Sequence, residues 1–230
     1  MSGEFDIIRK HFAPLAADEG AFGLTDDAAQ IGGFVVTKDL LVEGVHFRSK
    51  DPLDLVAKKA LRVNLSDLAA KGAKPSGYFL GCVWPAGVKE EAIAGFARGL
   101  SEDQELFRVA LFGGDTTAHA AKGAPLTISV TMLGAPGSAG LIRRSGARPG
   151  DDLYVTGAIG DAGLGLRALE GALKPSAASK KFLTERYRLP LPRLALGGAL
   201  CGLASAAIDV SDGLLADAGH VAETSSVALE

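Results

Sequence analysis

Chemistry in this 230-residue chain has to be sought at its aspartates. Asp26 and Asp27 stand side by side in Phe22-Gly23-Leu24-Thr25-Asp26-Asp27. Asp39 follows the apolar run Phe34-Val35-Val36, with Thr37 and Lys38 between. Asn64 and Asp67 interrupt an otherwise apolar stretch, Leu61-Arg62-Val63-Asn64-Leu65-Ser66-Asp67-Leu68. Asp115 comes directly after Leu111-Phe112-Gly113-Gly114 and before Thr116-Thr117. Asp209, Ser211 and Asp212 follow Ala206-Ala207-Ile208. Carboxylates at the ends of apolar runs are hard oxygen ligands of the kind magnesium takes, and glycine amides beside them can meet phosphate oxygens. Each cluster also has an ordinary reading as a solvated turn or a helix cap. Together they exceed what turns and caps require. Several divalent ions with phosphates would offset that much like charge, and phosphoryl transfer works largely by positioning and charge neutralisation.

Other chemistries find less support. Cys82 and Cys201 lie far apart, form no disulfide framework or zinc set, and are expected to pack as small core residues in a reducing compartment. Ser211 has no evident base for nucleophilic catalysis, and a glycosidase would need only two carboxylates. Gly157-Ala158-Ile159-Gly160-Asp161 reads as a turn into a helix that could hold an anion, but its spacing fits neither a Walker loop nor a dinucleotide fingerprint. Any nucleotide site here is therefore of another kind. His46, between apolar neighbours, reads as a core histidine as readily as a ligand. Arg143 and Arg144 read either as solvated linker charges or as planar forks for phosphate.

The elements that must position these residues follow from periodicity. Phe5, Ile8 and Phe12 predict an amphipathic helix over 4–12. A helix over 51–71 would open with Asp51 as its cap and Pro52 in its first turn, and stop at Gly72. Strands are predicted at 33–37, 78–84, 109–112 and 126–133, with a helix over 89–107. The third of these strands is expected to break at Gly113-Gly114. The first ~135 residues thus read as an α/β or α+β unit. Residues 134–150, rich in Gly and Pro, mark the domain boundary, giving domains 1–135 and 151–230 with a linker at 136–150. In the second part, strands at 152–156 and 206–208 alternate with helices near 162–170, 177–187 and 192–203.

Net charge is −3 and the isoelectric point is near 5.8, so no basic footprint for nucleic acid is present. The most apolar stretch, 196–208, is too short to span a bilayer. Glu4, Asp6, Arg9 and Lys10 argue against a secretory signal, and a soluble cytoplasmic protein is expected. The β-like run at 225–230 ends without a turn, as though the chain were cut inside a domain.

Taken in order, Gly3-Glu4-Phe5, Asp26-Asp27, Thr37-Lys38-Asp39, Gly44-Val45-His46-Phe47, Val63-Asn64-Leu65-Ser66-Asp67-Leu68-Ala69-Ala70-Lys71-Gly72-Ala73, Gly113-Gly114-Asp115-Thr116-Thr117, Arg144-Ser145-Gly146-Ala147, Val155-Thr156-Gly157 and Ile208-Asp209-Val210-Ser211-Asp212-Gly213-Leu214 carry a family likeness. The chain resembles the thiamine-monophosphate kinases of the aminoimidazole ribonucleotide synthetase-like ATP-binding superfamily. That resemblance implies a two-domain α/β (α+β) fold: an N-terminal mixed sheet with helices that supports a homodimer, and a C-terminal α+β domain, here truncated. It implies ATP-dependent phosphorylation of thiamine monophosphate to thiamine diphosphate with several Mg2+ ions. Asp27, Thr37, Asp39, Asp67, Asp115, Asp209 and Asp212 match metal-binding positions. Gly114, Asp115, Arg144 and Ser211 match ATP-binding positions, and His46 matches a substrate-binding position. Two departures stand out. Lys38 occupies the place of a usual hydroxyl ligand, and Thr25 that of a usual glycine. Family members continue well beyond residue 230 and draw further thiamine contacts from that part, so the chain alone is expected to be incomplete for catalysis. Alternatives are another enzyme of the superfamily, of ribonucleotide or selenophosphate synthetase type, or a non-catalytic nucleotide-binding protein. The selenophosphate reading lacks a cysteine before Cys82.

Overall fold

The computed structural model describes residues 3–230. Its elements are α1 (Glu4–Ile7), β1 (Ala29–Ile31), β2 (Phe34–Val42), α2 (Leu53–Ala70), β3 (Lys74–Trp84), α3 (Glu90–Phe107), β4 (Ala110–Ala118) and β5 (Thr127–Ala135). Four helices follow: α4 (Asp161–Leu169), α5 (Ala177–Arg188), α6 (Leu194–Leu200) and α7 (Leu214–Ser225). Among the described residues, the five strands form one mixed sheet in the order β1-β2-β5-β3-β4. All neighbours run antiparallel except β3 and β4, which are parallel and joined through α3.

The sheet has one buried face because its strands alternate. In β5, Ile128, Val130 and Met132 are buried while Thr127, Ser129 and Thr131 point the other way. α2 lies over β2 and β5 and contributes Val56, Ala57, Ala60, Leu61, Leu65 and Leu68 to the core. Tyr78, Cys82 and Trp84 close that layer from β3, with Phe96 and Leu100 from α3. α3 approaches α2 at Gly99, where a Cβ would stand 2.1 Å from the Asp54 carbonyl oxygen. Only glycine permits that crossing.

Several sequence expectations need correction. β4 does not break at Gly113-Gly114. It runs through Asp115 to Ala118, because the glycines serve a close parallel neighbour rather than a turn. A Cβ on Gly114 would lie 1.8 Å from the Leu80 carbonyl oxygen of β3. α2 starts at Leu53 with no side-chain cap, since Asp51 is spent on the Arg48 amide and on Arg188. Its stop at Gly72 (φ +67°) holds as expected. Residues 152–156 and 206–208 are not strands, for neither finds a hydrogen-bonding strand partner among the described residues. Residues 225–230 form no strand either. The N-terminal helix is short: α1 widens into a π-helical turn, Ile8–Phe12, and buries none of Phe5, Ile8 or Phe12. Cys82 is buried as expected, whereas Cys201 is only half-buried.

Ion pairs fasten α2 and the turn leading into it to their surroundings. Arg62 holds Asp103 of α3 through a two-pronged pair (Nε–Oδ2 2.6 Å, Nη2–Oδ1 2.8 Å), and Arg188 reaches Asp51 at 2.8 Å. The Asp103 side chain is 1% exposed, so its removal would strand a mostly buried guanidinium. Asp103→Ala should lower unfolding free energy by about 3–5 kcal/mol in denaturant titration. A loss below about 1 kcal/mol would mean that solvent already screens the pair.

Candidate functional site

β2 brings two of the expected ligands to one face because side chains two apart on a strand point the same way. Thr37 and Asp39 face α2, where the Thr37 hydroxyl donates to Asp67 Oδ2. Lys38, between them, faces the opposite way and donates from its ammonium to Ser129 of β5. α2 carries Asp67 with Ser66 beside it, and Ser66 lies close enough to Asp209, from the segment before α7, to oppose the rise in its proton affinity. Asn64 turns inward to the Ala60 carbonyl (3.0 Å) and stays out of the site.

Asp27, Asp39, Asp67 and Asp209 stand close enough to act on one another. Burial raises Asp67 well above the usual carboxylate value, and Asp209, Asp39 and Asp27 push it further. Burial also raises Asp39, with Asp27 adding to it against the opposing charges of His46 and Lys38. Asp209 is raised to about 6 by burial and then by Asp27 and Asp39.

The Asp26–Asp27 turn is not the solvated turn its sequence allows. Their side chains are 2% and 4% exposed and are clasped by three cations. Lys71, wholly buried, reaches Asp26 Oδ1 (2.6 Å), Asp27 Oδ2 (2.7 Å) and the Ala207 carbonyl (2.9 Å). Arg143 donates to Asp26 Oδ2 (2.7 Å) and lies over the Phe22 ring, while Arg144 pairs with Asp27. Burial alone would raise Asp26, but the Lys71 charge and the bonds from Lys71, Arg143 and the Arg144 amide hold it below the usual value. Thr25 sits at φ −113°, an ordinary conformation that needs no glycine.

The remaining expected residues lie apart from this cluster. Asp115 is exposed, and its pairing with Gly81 puts it on the Ser129 face of the sheet, the face of Lys38. It is absent from the charges that shift Asp39, Asp67 and Asp209. Gly114 is pressed against β3 beside it. His46 is exposed near Asp39; its Nδ1 accepts the Val42 amide (2.9 Å), and Lys59 donates to its carbonyl (2.8 Å). Ser211 and Asp212 are exposed, and none of Asp209, Ser211 or Asp212 caps α7, whose N-cap is Gly213. Sequence reading missed the residue that shapes this loop. Asp217, from the first turn of α7, accepts the amides of Ser211 (3.0 Å), Asp212 (3.2 Å) and Gly213 (3.0 Å). It also missed Lys71. Neither has a local pattern that could have revealed it.

The donor set fits magnesium: several carboxylates, two hydroxyls and no sulfur. Asp27 Oδ2 is buried with no aligned hydrogen bond, although it touches the Lys71 ammonium.

Comparison with known proteins gives the family. Residues 25–135 match the family described as AIR synthase related protein, N-terminal domain. The thiamine-monophosphate kinase of Escherichia coli is 38% identical over 232 residues, covering 97% of this chain and 69% of that enzyme. The chain belongs to the thiamine-monophosphate kinase family. The enzyme of Caulobacter vibrioides is 47% identical over 228 residues, and this chain spans 63% of its length. Among solved structures, AaThiL complexed with AMPPCP and TMP superposes with a TM-score of 0.87 at 28% identity, over 97% of this chain and 71% of that one. The E. coli hydrogenase maturation protein HypE, at 20% identity and a TM-score of 0.64 over 87% of this chain and 63% of its own, shares the fold. The mixed sheet with its helices is thus the thiamine-monophosphate kinase arrangement.

A pH dependence follows from the crowding. Folded Asp209 takes its proton at about 6, whereas an unperturbed carboxylate takes it near 3.8. Between these values the folded chain binds the extra proton, so metal-free stability falls as pH rises through about 6. Asp26 acts in the opposite sense, but below 3.8. Melting scans from about pH 5 to about pH 7.5 should show Tm declining in EDTA and a flatter profile in excess Mg2+. A metal-free Tm that climbs across this window would refute the crowding.

Proposed function

We propose that this protein uses ATP to phosphorylate thiamine monophosphate, giving thiamine diphosphate, as a cytoplasmic homodimer. The observation that carries this reading is the convergence of Asp27, Asp39, Asp67 and Asp209, the last three with raised proton affinities, in a chain of this family. AaThiL has been solved with AMPPCP and TMP together, which are an ATP analogue and the acceptor in this reaction. None of the helices in the described residues is long and apolar enough to cross a membrane.

In this reading Asp27, Asp39, Asp67 and Asp209, helped by Thr37, hold Mg2+, with Asp212 and Asp115 as ligands at the margins. Bound Mg2+ would neutralise the phosphate oxygens and the charge that shifts during transfer. Gly114, Asp115, Arg144 and Ser211 take ATP, and His46 takes the thiamine substrate. Arg144 must leave Asp27 to do so, and Asp27 is thereby released to a metal. Lys38, turned toward Ser129, is a fixed cation on the Asp115 face rather than a ligand. The substrate phosphate attacks directly, since its oxygens are already anionic near neutral pH and need no general base. The dimer reading rests on the bare sheet face, where Phe34 is 51%, Leu40 55% and Phe79 44% exposed.

An ADP-release assay on the protein at the full length of its relatives, with ATP, Mg2+ and thiamine monophosphate, should show turnover, with none on aminoimidazole-pathway substrates; the reverse preference would sink the reading. Asp67→Asn should lower kcat by on the order of 100-fold or more. The same change should raise metal-free Tm, because it removes one of four repelling charges.

A further inference from the structure

The acidic site contains a cation that is part of the chain. Lys71 is 0% exposed, and its ammonium donates to Asp26 Oδ1 and the Ala207 carbonyl and lies 2.7 Å from Asp27 Oδ2 as an ion pair. Those partners come from separate places, the turn before β1 and the segment that runs on to Asp209. Lys71 itself sits at the C-terminal end of the helix that carries Asp67, and its own carbonyl accepts the Ile142 amide. It therefore touches every stretch that supplies a carboxylate to the cluster except β2. An ammonium is seldom placed wholly out of water unless paired, and here both charged partners are also nearly buried.

We propose that Lys71 is a positioning residue acting as a built-in counter-ion. Its ammonium supplies part of the positive charge that divalent ions would otherwise provide, and it closes the Asp26–Asp27 turn onto the Asp209 segment before any metal arrives. The inference rests on the magnesium reading of this site, but not on which phosphate acceptor is used. It has an unusual consequence. A positive charge beside a metal site repels the metal, so Lys71 exchanges metal affinity for metal-free order. At a separation of several ångströms and an effective dielectric of ~20, one unit charge acting on a divalent ion shifts affinity roughly tenfold or more.

The test is Lys71→Met, which keeps the length of the side chain and removes its charge. Isothermal titration with Mg2+ alone, without nucleotide or substrate, should show affinity tightened roughly tenfold or more. Melting in EDTA should show a lower Tm than the parent, and saturating Mg2+ should close most of that gap. A residue with only a packing role would loosen the site, so unchanged or weaker Mg2+ binding would overturn the proposal. So would a Tm gap that Mg2+ leaves intact. If Lys71→Met does not fold in EDTA, the double variant with Asp26→Asn decides. Recovery of folding supports charge compensation, and no recovery overturns it. Because the readouts use Mg2+ alone, failure of turnover on thiamine monophosphate would leave this result separately legible.

Discussion

Like charge held out of water is the constraint on which this structure turns. Asp27, Asp39, Asp67 and Asp209 crowd into one half-buried place, and burial with mutual repulsion raises the proton affinity of the last three. Nothing in ordinary folding favours such a cluster. It persists because each carboxylate is fixed by an element whose packing is settled elsewhere. Asp39 rides on β2, whose neighbours Val35 and Leu41 are core residues. Asp67 rides on α2, anchored by Leu65 and Leu68 on either side. The apolar layer between sheet and helix supplies the free energy that holds the repelling groups together.

Two aspartates one residue apart show how finely the charges are sorted. Asp26 is held below the ordinary carboxylate value by cations on both oxygens, which makes it an anchor. Asp27 shares Lys71 and Arg144 but keeps a buried oxygen with no aligned hydrogen bond, which makes it a ligand in waiting. Strand geometry does the same sorting in β2. Thr37 and Asp39 face the cluster, and Lys38 faces away toward Ser129. A lysine set among ligands in sequence is thereby kept out of the ligand set in space.

Much of this was legible in the chain, and the illegible parts share a cause. The alternation of Ile128, Val130 and Met132 gave β5 and its buried face, and Gly72 gave the end of α2, since both signals are local. The acidic candidates could be named one by one for the same reason. Which of them meet depends on register between distant strands, and no single stretch carries that. Gly113-Gly114 reads as a turn until β3 lies against it, and then it reads as the gap that lets Leu80 approach. Asp51 reads as a cap until Arg188 arrives from 137 residues away. Lys71 looks like a solvated residue at a helix end. Its partners Asp26 and Ala207 lie 45 and 136 residues distant in sequence.

The repulsion is also the source of the site's affinity. A carboxylate forced upward in proton affinity sits in a field that favours any cation, and a small divalent ion relieves more of it than a proton does. The free energy lost in assembling the cluster is therefore returned when metal binds, and stability and metal affinity are two readings of one quantity. Lys71, Arg143 and Arg144 set how much is stored, because each unit of positive charge they add lowers the repulsion of the empty site and the reward of filling it. Arg144 can be withdrawn, for it is held by Asp27 alone and its Nε has no partner. Lys71 cannot, with two acceptors, an ion pair to Asp27 and no exposure. One cation is thus free to follow a phosphate while the other keeps the frame closed behind it.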